Sequence, residues 1–353
     1  MRKPLGVMAC LLVLVWTGTA GLARNLDGTL GLIRWPASTQ PALVKAGDSF
    51  TITVAVPVPL SDLQVTLIGG GERRQVLNFE DENCVQPVEG MVRMKVPVPR
   101  DMPEGLYTVS ALVWADTRFV DTAERAVRVY REWPKRYTIA HLTDVHIGKQ
   151  SAPYAAEVFH RTAQQVSRLG VDFAIITGDL TESAQPEQYR TFIRELDGFT
   201  VPTFVVPGNH DRGTDGSFGS KSPYEDYCGP ATYSFDLGTH RYVALDTRWE
   251  DEFLVYAPYK AWLERELAKP DPTFGIVFSH RISPEEYPWF GEHLPEHNYK
   301  VFLYGHTHRD QMAWLPPKRL LLVNTSHEFV GTYNLLTVEG DHVVSIRHVG
   351  GQM

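Results

Sequence analysis

Apolar residues along this chain follow two different periods, and the change falls near residue 133. From Gly47 to about Tyr130, short runs alternate apolar and polar positions, as in Phe50-Thr51-Ile52-Thr53-Val54-Ala55-Val56 and Tyr107-Thr108-Val109-Ser110-Ala111-Leu112-Val113. Residues two apart share one face of a strand, so these runs predict strands with one buried side. Turn signals such as Gly69-Gly70-Gly71 and Pro103-Glu104-Gly105 separate them. The pattern is that of an antiparallel β-sandwich of roughly immunoglobulin size. Glu132-Trp133-Pro134-Lys135 reads as the linker that follows it.

Beyond residue 136 the pattern becomes strand, helix, strand. Ala155, Val158, Phe159, Ala163, Val166 and Leu169 keep helical spacing, as do Tyr189, Phe192, Ile193 and Leu196 behind Pro186 at a helix start. A third helix is expected through Tyr259, Trp262, Leu263 and Leu267. This alternation is the signature of an α/β layered fold.

The N-terminus adds a compartment. Arg2 and Lys3 precede an apolar run from Val7 to Trp16, and a small-residue stretch runs on to Ala23. That matches a secretory signal peptide, with cleavage after Ala23 or Ala20. Ten apolar residues fall short of the roughly 20 that span a bilayer, so no membrane span is expected after signal removal. The expected division is a signal peptide at 1–23, a β-sandwich at 24–132 and an α/β domain at 137–353, in a secreted or periplasmic protein. Such a compartment permits disulfides. Only Cys84 and Cys228 would remain in the mature chain, and two separate buried thiols are expected rather than a bond between domains.

Composition excludes more than it identifies. With 43% hydrophobic and 22% charged residues the chain is neither disordered nor coiled-coil. A net charge of −8 argues against a surface built to hold a nucleic-acid backbone. Thirteen histidines are the unusual feature.

Five of the apolar runs beyond residue 136 end in metal-ligand residues. Tyr137 to Leu142 leads to Asp144 and His146, and Phe173 to Thr177 leads to Gly178-Asp179. Thr203 to Pro207 leads to Gly208-Asn209-His210-Asp211. Phe274 to Phe278 leads to His280, and Val301 to Tyr304 leads to Gly305-His306-Thr307-His308. Ligands of open α/β sheets bind at the carboxyl ends of strands, so these ends can converge. Asp144 and His146, two apart on an extended segment, can grip one ion, and His306 and His308 repeat the arrangement. Two aspartates, an asparagine and four histidines suit Zn, Mn or Fe rather than calcium. Seven donors exceed one tetrahedral zinc and fit two ions sharing a carboxylate.

The ordered set Asp144-x-His146, Gly178-Asp179, Gly208-Asn209-His210-Asp211, His280 and Gly305-His306-x-His308 resembles the calcineurin-like metallophosphoesterase family. The resemblance runs from residue 137 to about 350. It implies a four-layer α/β/β/α sandwich, here preceded by an all-β, immunoglobulin-like domain, around two divalent or trivalent transition-metal ions. It implies that Asp144, His146, Asp179 and His308 hold the first ion and Asp179, Asn209, His280 and His306 the second, with Asp179 bridging. His210 matches the family's catalytic histidine, a general acid toward the leaving oxygen, and Asp211 the carboxylate that orients it. The expected nucleophile is a hydroxide bridging the metals. Purple acid phosphatases are similar in carrying a β-sandwich ahead of the catalytic domain. Their iron-binding tyrosine, expected three residues after the bridging aspartate, is Glu182 here, which argues against a tyrosinate–iron centre. Tyr233-Ser234-Phe235-Asp236 and the helix order resemble the cyclic-nucleotide phosphodiesterase branch.

The resemblance therefore implies a phosphoester hydrolase, phosphodiesterase or phosphatase, acting on a small phosphoester. The competing class is a non-catalytic metal-containing scaffold that displays the β-sandwich. In either case the sandwich packs on the catalytic domain or binds another surface. Arg212, Arg281 and Arg309 each follow a motif residue and are candidate phosphate contacts, weighed against ion pairs with Asp215, Glu285 or Asp310. The stretch Asp211 to Gly229, with Tyr224 and Tyr227, reads as a substrate-selecting loop. His141, inside the first strand, is expected as a hydrogen-bonded core or supporting histidine, and His327 as a residue able to approach the site.

Overall fold

In the computed structural model, residues 28–55, 62–69, 73–77, 84–88, 90–114, 118–150, 154–212, 223–247, 256–317 and 319–350 are described. The expected signal peptide, residues 213–222 of the expected loop, Asp215 and the side chain of Cys84 lie outside them. No described helix is long and apolar enough to cross a membrane.

The first part of the chain forms strands β1 (Ile33–Trp35), β2 (Ala42–Lys45), β3 (Ser49–Ala55), β4 (Asp62–Gly69), β5 (Arg73–Leu77), β6 (Cys84–Val88), β7 (Met91–Pro97), β8 (Gly105–Trp114) and β9 (Arg118–Tyr130). They make two sheets, ordered β1-β3-β7-β6 and β2-β9-β8-β4-β5. Ile52 and Val54 of one sheet share a core with Val65, Val109, Ala111 and Val127 of the other, so the period-2 runs do bury one face each. The expectation of a purely antiparallel sandwich needs correction. β2 pairs with β9 in parallel, because the chain changes sheets between Trp35 and Ala42 and then runs along the last part of β9.

The second part contains β10 (Arg136–Leu142), α1 (Ala155–Arg168), β11 (Phe173–Thr177), α2 (Pro186–Leu196), β12 (Thr203–Val206), α3 (Pro223–Cys228), β13 (Tyr233–Leu237), β14 (His240–Leu245) and α4 (Tyr256–Leu267). It continues through β15 (Phe274–Ser279), α5 (Tyr287–Glu296), β16 (Tyr299–Tyr304), β17 (Gln311–Leu315), β18 (Leu320–Asn324), β19 (Tyr333–Glu339) and β20 (His342–Val349). Two sheets result, β12-β11-β10-β19-β20 and β13-β14-β15-β16-β18-β17. Their strands are apolar on both faces because both faces are covered. Ile139, Phe173, Ile175 and Phe204 meet Tyr242, Ile276, Phe278 and Leu303 between the sheets. Outward residues Leu142, Ala174 and Ile176 pack with Phe159, Phe192 and Tyr189 of α1 and α2. On the other outer face Val243, Val277 and Phe302 pack with Leu263 and Phe290 of α4 and α5. Helix, sheet, sheet, helix is thus the layer order. Each fully buried Phe, Ile or Val contributes about 1.5–3 kcal/mol.

One local expectation fails. Within the stretch read as a loop, Pro223–Cys228 is helical, and Tyr224, Tyr227 and Cys228 turn inward. Tyr224 donates to the Val205 carbonyl at 2.9 Å and Tyr227 stacks on Tyr189 at 4.8 Å, so neither tyrosine selects substrate. Pro at the first helical position and buried residues one turn apart explain the helix. The same region receives the sandwich. Thr39 Oγ1 donates to the Cys228 carbonyl at 2.8 Å and Gln40 Nε2 to the Pro230 carbonyl at 2.6 Å.

Candidate metal centre

Five strands, β10, β11 and β12 parallel in one sheet and β15 and β16 parallel in the other, each end in a loop that carries candidate ligands. Backbone bonds tie these loops together. Asp144 N donates to the Gly178 carbonyl at 3.0 Å, His146 N to the Asp179 carbonyl at 2.8 Å, and Gly305 N to the His280 carbonyl at 3.0 Å. Two glycines are needed for the approach. A Cβ on Gly305 would overlap Thr143 Oγ1 and lie 2.6 Å from Asp144 Oδ2, and one on Gly208 would overlap the Asp179 backbone.

Nine described non-glycine residues have positive φ, and five are candidate ligands: Asp144, His146, Asp179, His306 and His308. That conformation costs on the order of 1–2 kcal/mol per residue and concentrates at functional sites. Here it turns successive side chains inward from very short loops.

The donor atoms meet in adjoining groups. Asp144, His146 and His308 form one, and Asp179, His280 and His306 another; within each, the ligand atoms lie within 4.8 Å of one another. In the first, Asp144 Oδ1 is 3.1 Å from His308 Nε2 and 3.7 Å from His146 Nε2. In the second, Asp179 Oδ2 is 3.2 Å from His280 Nε2, and Asn209 Oδ1 lies 3.1 Å from His280 Nε2 and 3.0 Å from His306 Nδ1. Asp179 Oδ2 also stands 3.6 Å from His146 Nε2 and so faces both groups. Donors each about 2.1 Å from one ion lie roughly 3–4 Å apart, the spacing seen here.

Among the described residues His146 Nε2 is buried without a hydrogen-bond partner, although carboxylates stand just beyond bonding distance. A buried nitrogen lone pair aimed at carboxylates fits a cation. The backs of the ligands are fixed as well. His280 Nδ1 donates to the Thr177 carbonyl at 2.7 Å, so its Nε2 lone pair faces the group. His146 Nδ1 lies 2.7 Å from Glu182 Oε2. Asp144 Oδ2 accepts from Thr143 Oγ1 at 2.7 Å and from His306 N at 2.9 Å.

Electrostatics agree. Burial opposes ionisation of Asp144, but His280, His146 and His308 outweigh it and hold the carboxyl well below its usual range. Burial likewise opposes a charge on His280, yet Asp179 and Asp144 lift its imidazole to about 9. Burial, then His280 and Arg281, push His306 down to about 4. The cluster thus demands positive charge, and without an ion a proton on His280 meets that demand.

His210 sits at the rim, its ring 4.7 Å from that of His146, and forms a third group with His146 and Asp179. Its backbone N donates to Asp179 Oδ1 at 2.8 Å and its Nδ1 to the Glu182 carbonyl at 2.6 Å. A carbonyl only accepts, so Nδ1 carries the hydrogen and Nε2 is left for other contacts.

The expected role of Asp211 is corrected. Its carboxylate accepts from Gly208 N at 2.8 Å, Leu180 N at 3.0 Å, and Thr181 N and Oγ1 at 2.9 Å. It ties the loops after β11 and β12 together, while the Glu182 carbonyl orients His210. The reason lies in the short 3-10 turn His210–Arg212, which turns consecutive side chains in different directions. Arg212 pairs with Asp246, which is 7% exposed, and the alternative partner Asp215 lies outside the described residues. Arg281 is half-buried beside Asn209 and His280, and Arg309 is exposed beyond His308.

His141 is fully buried, with Nε2 2.9 Å from Thr177 Oγ1 and Nδ1 2.6 Å from Thr325 Oγ1, and burial pushes its imidazole down to about 3. It supports the strand whose carbonyl holds His280. The His327 ring lies 4.9 Å from that of His308. Glu182 is the residue whose role sequence reasoning missed. A parallel bridge between Ile147 and Thr181 sets it opposite His146, and its only sequence signal was an acid three residues past Asp179.

Comparison with known proteins agrees with this geometry. The family described as Calcineurin-like phosphoesterase matches residues 137–310, and this part of the chain is a calcineurin-like metallophosphoesterase domain. The 3',5'-cyclic adenosine monophosphate phosphodiesterase CpdA of Haemophilus influenzae is 22% identical over 214 residues, covering 52% of this chain and 73% of the relative. A probable cyclic nucleotide phosphodiesterase of Psychrobacter arcticus is 25% identical over 40% of this chain and 58% of its own, so the match spans less than two thirds of that protein. The purple acid phosphatase PPD1 of yellow lupin seeds superposes with a TM-score of 0.53 at 15% identity, over 88% of this chain and 72% of the other. That likeness is one of fold.

Proposed function

We propose that this protein is a dinuclear-metal-dependent phosphoester hydrolase that favours diesters over monoesters. The observation that carries the reading is Asp179 Oδ2, which lies 3.6 Å from His146 Nε2 and 3.2 Å from His280 Nε2 and so can serve two ions at once. Asp144, His146, Asp179 and His308 would hold one ion, and Asp179, Asn209, His280 and His306 the other. Bound there, the ions would supply Lewis-acid polarisation of the phosphoryl group and a water of lowered pKa.

The chain's own residues supply the rest. Glu182 and the Thr177 carbonyl fix the rings of His146 and His280. His210, oriented through Nδ1, presents Nε2 at the rim, where in its imidazolium form it donates a proton to the leaving oxygen. The diester preference is supported by Arg212: bound to Asp246, it is neutralised and adds little to the charge that a monoester dianion would require. The similarity to proteins named as cyclic nucleotide phosphodiesterases supports the same choice.

The test is metal analysis combined with a panel of monoesters, acyclic diesters and cyclic nucleotides. Metal-dependent hydrolysis with diesters ahead is the expected result. If every ester is inert with both positions filled, the chain is a scaffold instead.

A further inference from the structure

The two sides of the metal centre differ, and the difference bears on which esters enter. Beside Asn209 and His280, the gap bounded by Pro207, Arg212, Thr247 and Arg281 is about 10 Å³, room for at most one water. Among the described residues this gap leaves no room for an ester's organic group.

On the side of Asp144 and His308 stands an aromatic wall. β18 lies parallel to β16, which delivers His306 and His308, and the turn after β18 is tied to the ligand loop. Glu328 N donates to the Thr143 carbonyl at 2.8 Å and Phe329 N to the Asp144 carbonyl at 3.3 Å. The Phe329 ring lies 5.5 Å from those of His146 and His308, and 4.2 Å from that of His327. Lys149, whose N–H donates to the His146 carbonyl at 2.9 Å, carries its ammonium 4.5 Å from the Phe329 ring centre. All three side chains are only partly buried.

Resting on the phosphoester-hydrolase reading, we propose that His327, Phe329 and Lys149 form the subsite for the ester's organic group and select an aromatic group, aryl or nucleoside, over an alkyl one. Flat π-surfaces stack without needing a particular sequence of donors and acceptors, and the ammonium serves the acceptor atoms that heteroaromatic rings carry. The position follows from the centre itself: Phe329 adjoins the rings of His146 and His308 and His327 that of His308, so a phosphoryl group held beside these ligands brings its substituent within reach of this wall.

The experiment uses the metal-loaded full chain and two diesters with a common non-aromatic leaving group, thymidine 5'-(trifluoroethyl) phosphate and methyl trifluoroethyl phosphate, with trifluoroethanol release followed by fluorine NMR. The wild type should favour the thymidine ester in kcat/KM by about tenfold or more. Phe329→Leu, His327→Ala and Lys149→Ala should each bring the ratio toward one, chiefly through KM, with metal content retained. Equal efficiency on the two esters in the wild type overturns the subsite and leaves the hydrolase standing. So does an unchanged ratio in the variants that keep their metal. If the filled wild type cleaves neither ester nor any monoester, the hydrolase reading falls and takes the subsite with it.

Discussion

His146 Nε2 and Asp179 Oδ2 face each other at 3.6 Å in the protein interior, too far for a hydrogen bond and close enough for one cation to touch both. Because Asp179 also reaches His280, the two donor groups are joined through one carboxylate. Asp179→Asn should therefore lower occupancy at both metal positions, read by metal analysis after dialysis. Loss of a single equivalent would contradict the shared role.

His210 contributes through Nε2 at the rim, outside the two principal donor groups. His210→Ala should keep both metals and lower kcat by about 10²–10⁴-fold, the usual range for a positioned proton donor. Unchanged turnover would remove it from the chemistry.

Glu182 orients His146 through the 2.7 Å contact to Nδ1. Glu182→Ala should weaken metal affinity by about 10–100-fold, the usual effect of removing such a partner. Competition with a chromogenic chelator measures this, and wild-type affinity would show that the contact is incidental.

Glu328 is fully buried beneath the aromatic turn, and burial pushes its carboxyl up from 4.5 to about 8, with Thr162 and Arg161 only partly offsetting this. The folded state thus holds this proton more tightly than the unfolded state. The stabilisation is complete below about pH 4.5 and is lost as pH rises to about 8. Glu328→Gln should flatten that decline, by on the order of a few kcal/mol at about 1.4 kcal/mol per pKa unit. Thermal melts from pH 5 to 9 provide the measurement, and parallel curves for the two proteins would refute the prediction.

Chelation should cost stability as well as activity. Removing ions from buried carboxylates leaves Asp144 and Asp179 facing only the surrounding histidines, His280 foremost. The melting temperature should fall with EDTA and recover with added metal. An unchanged melt would indicate that no ion occupies the cluster under those conditions.

Much of the site was legible because its elements are local. A buried β-strand writes itself as an apolar run, and a ligand at its end needs only the next few residues, so Asp144, His146, Asp179, Asn209, His280, His306 and His308 could be named in order. Helices α1, α2 and α4 were legible from spacing in the same way. The helix Pro223–Cys228 was not, because its six residues lie in a Gly, Ser and Pro-rich setting and its inward face is defined by residues distant in sequence, Tyr189 and Val205 among them.

What the sequence determined by itself was the inventory: strand ends, donor types, glycines where loops must touch, and a change of period between two architectures. The tertiary structure decided direction. It turned Asp211 toward backbone amides instead of His210, bound Arg212 to Asp246, set Glu182 behind His146, and brought His327 and Phe329 beside His308. These relationships join residues from different loops. Their geometry follows from how two sheets pack and from positive-φ turns at strand ends, which sequence spacing does not encode.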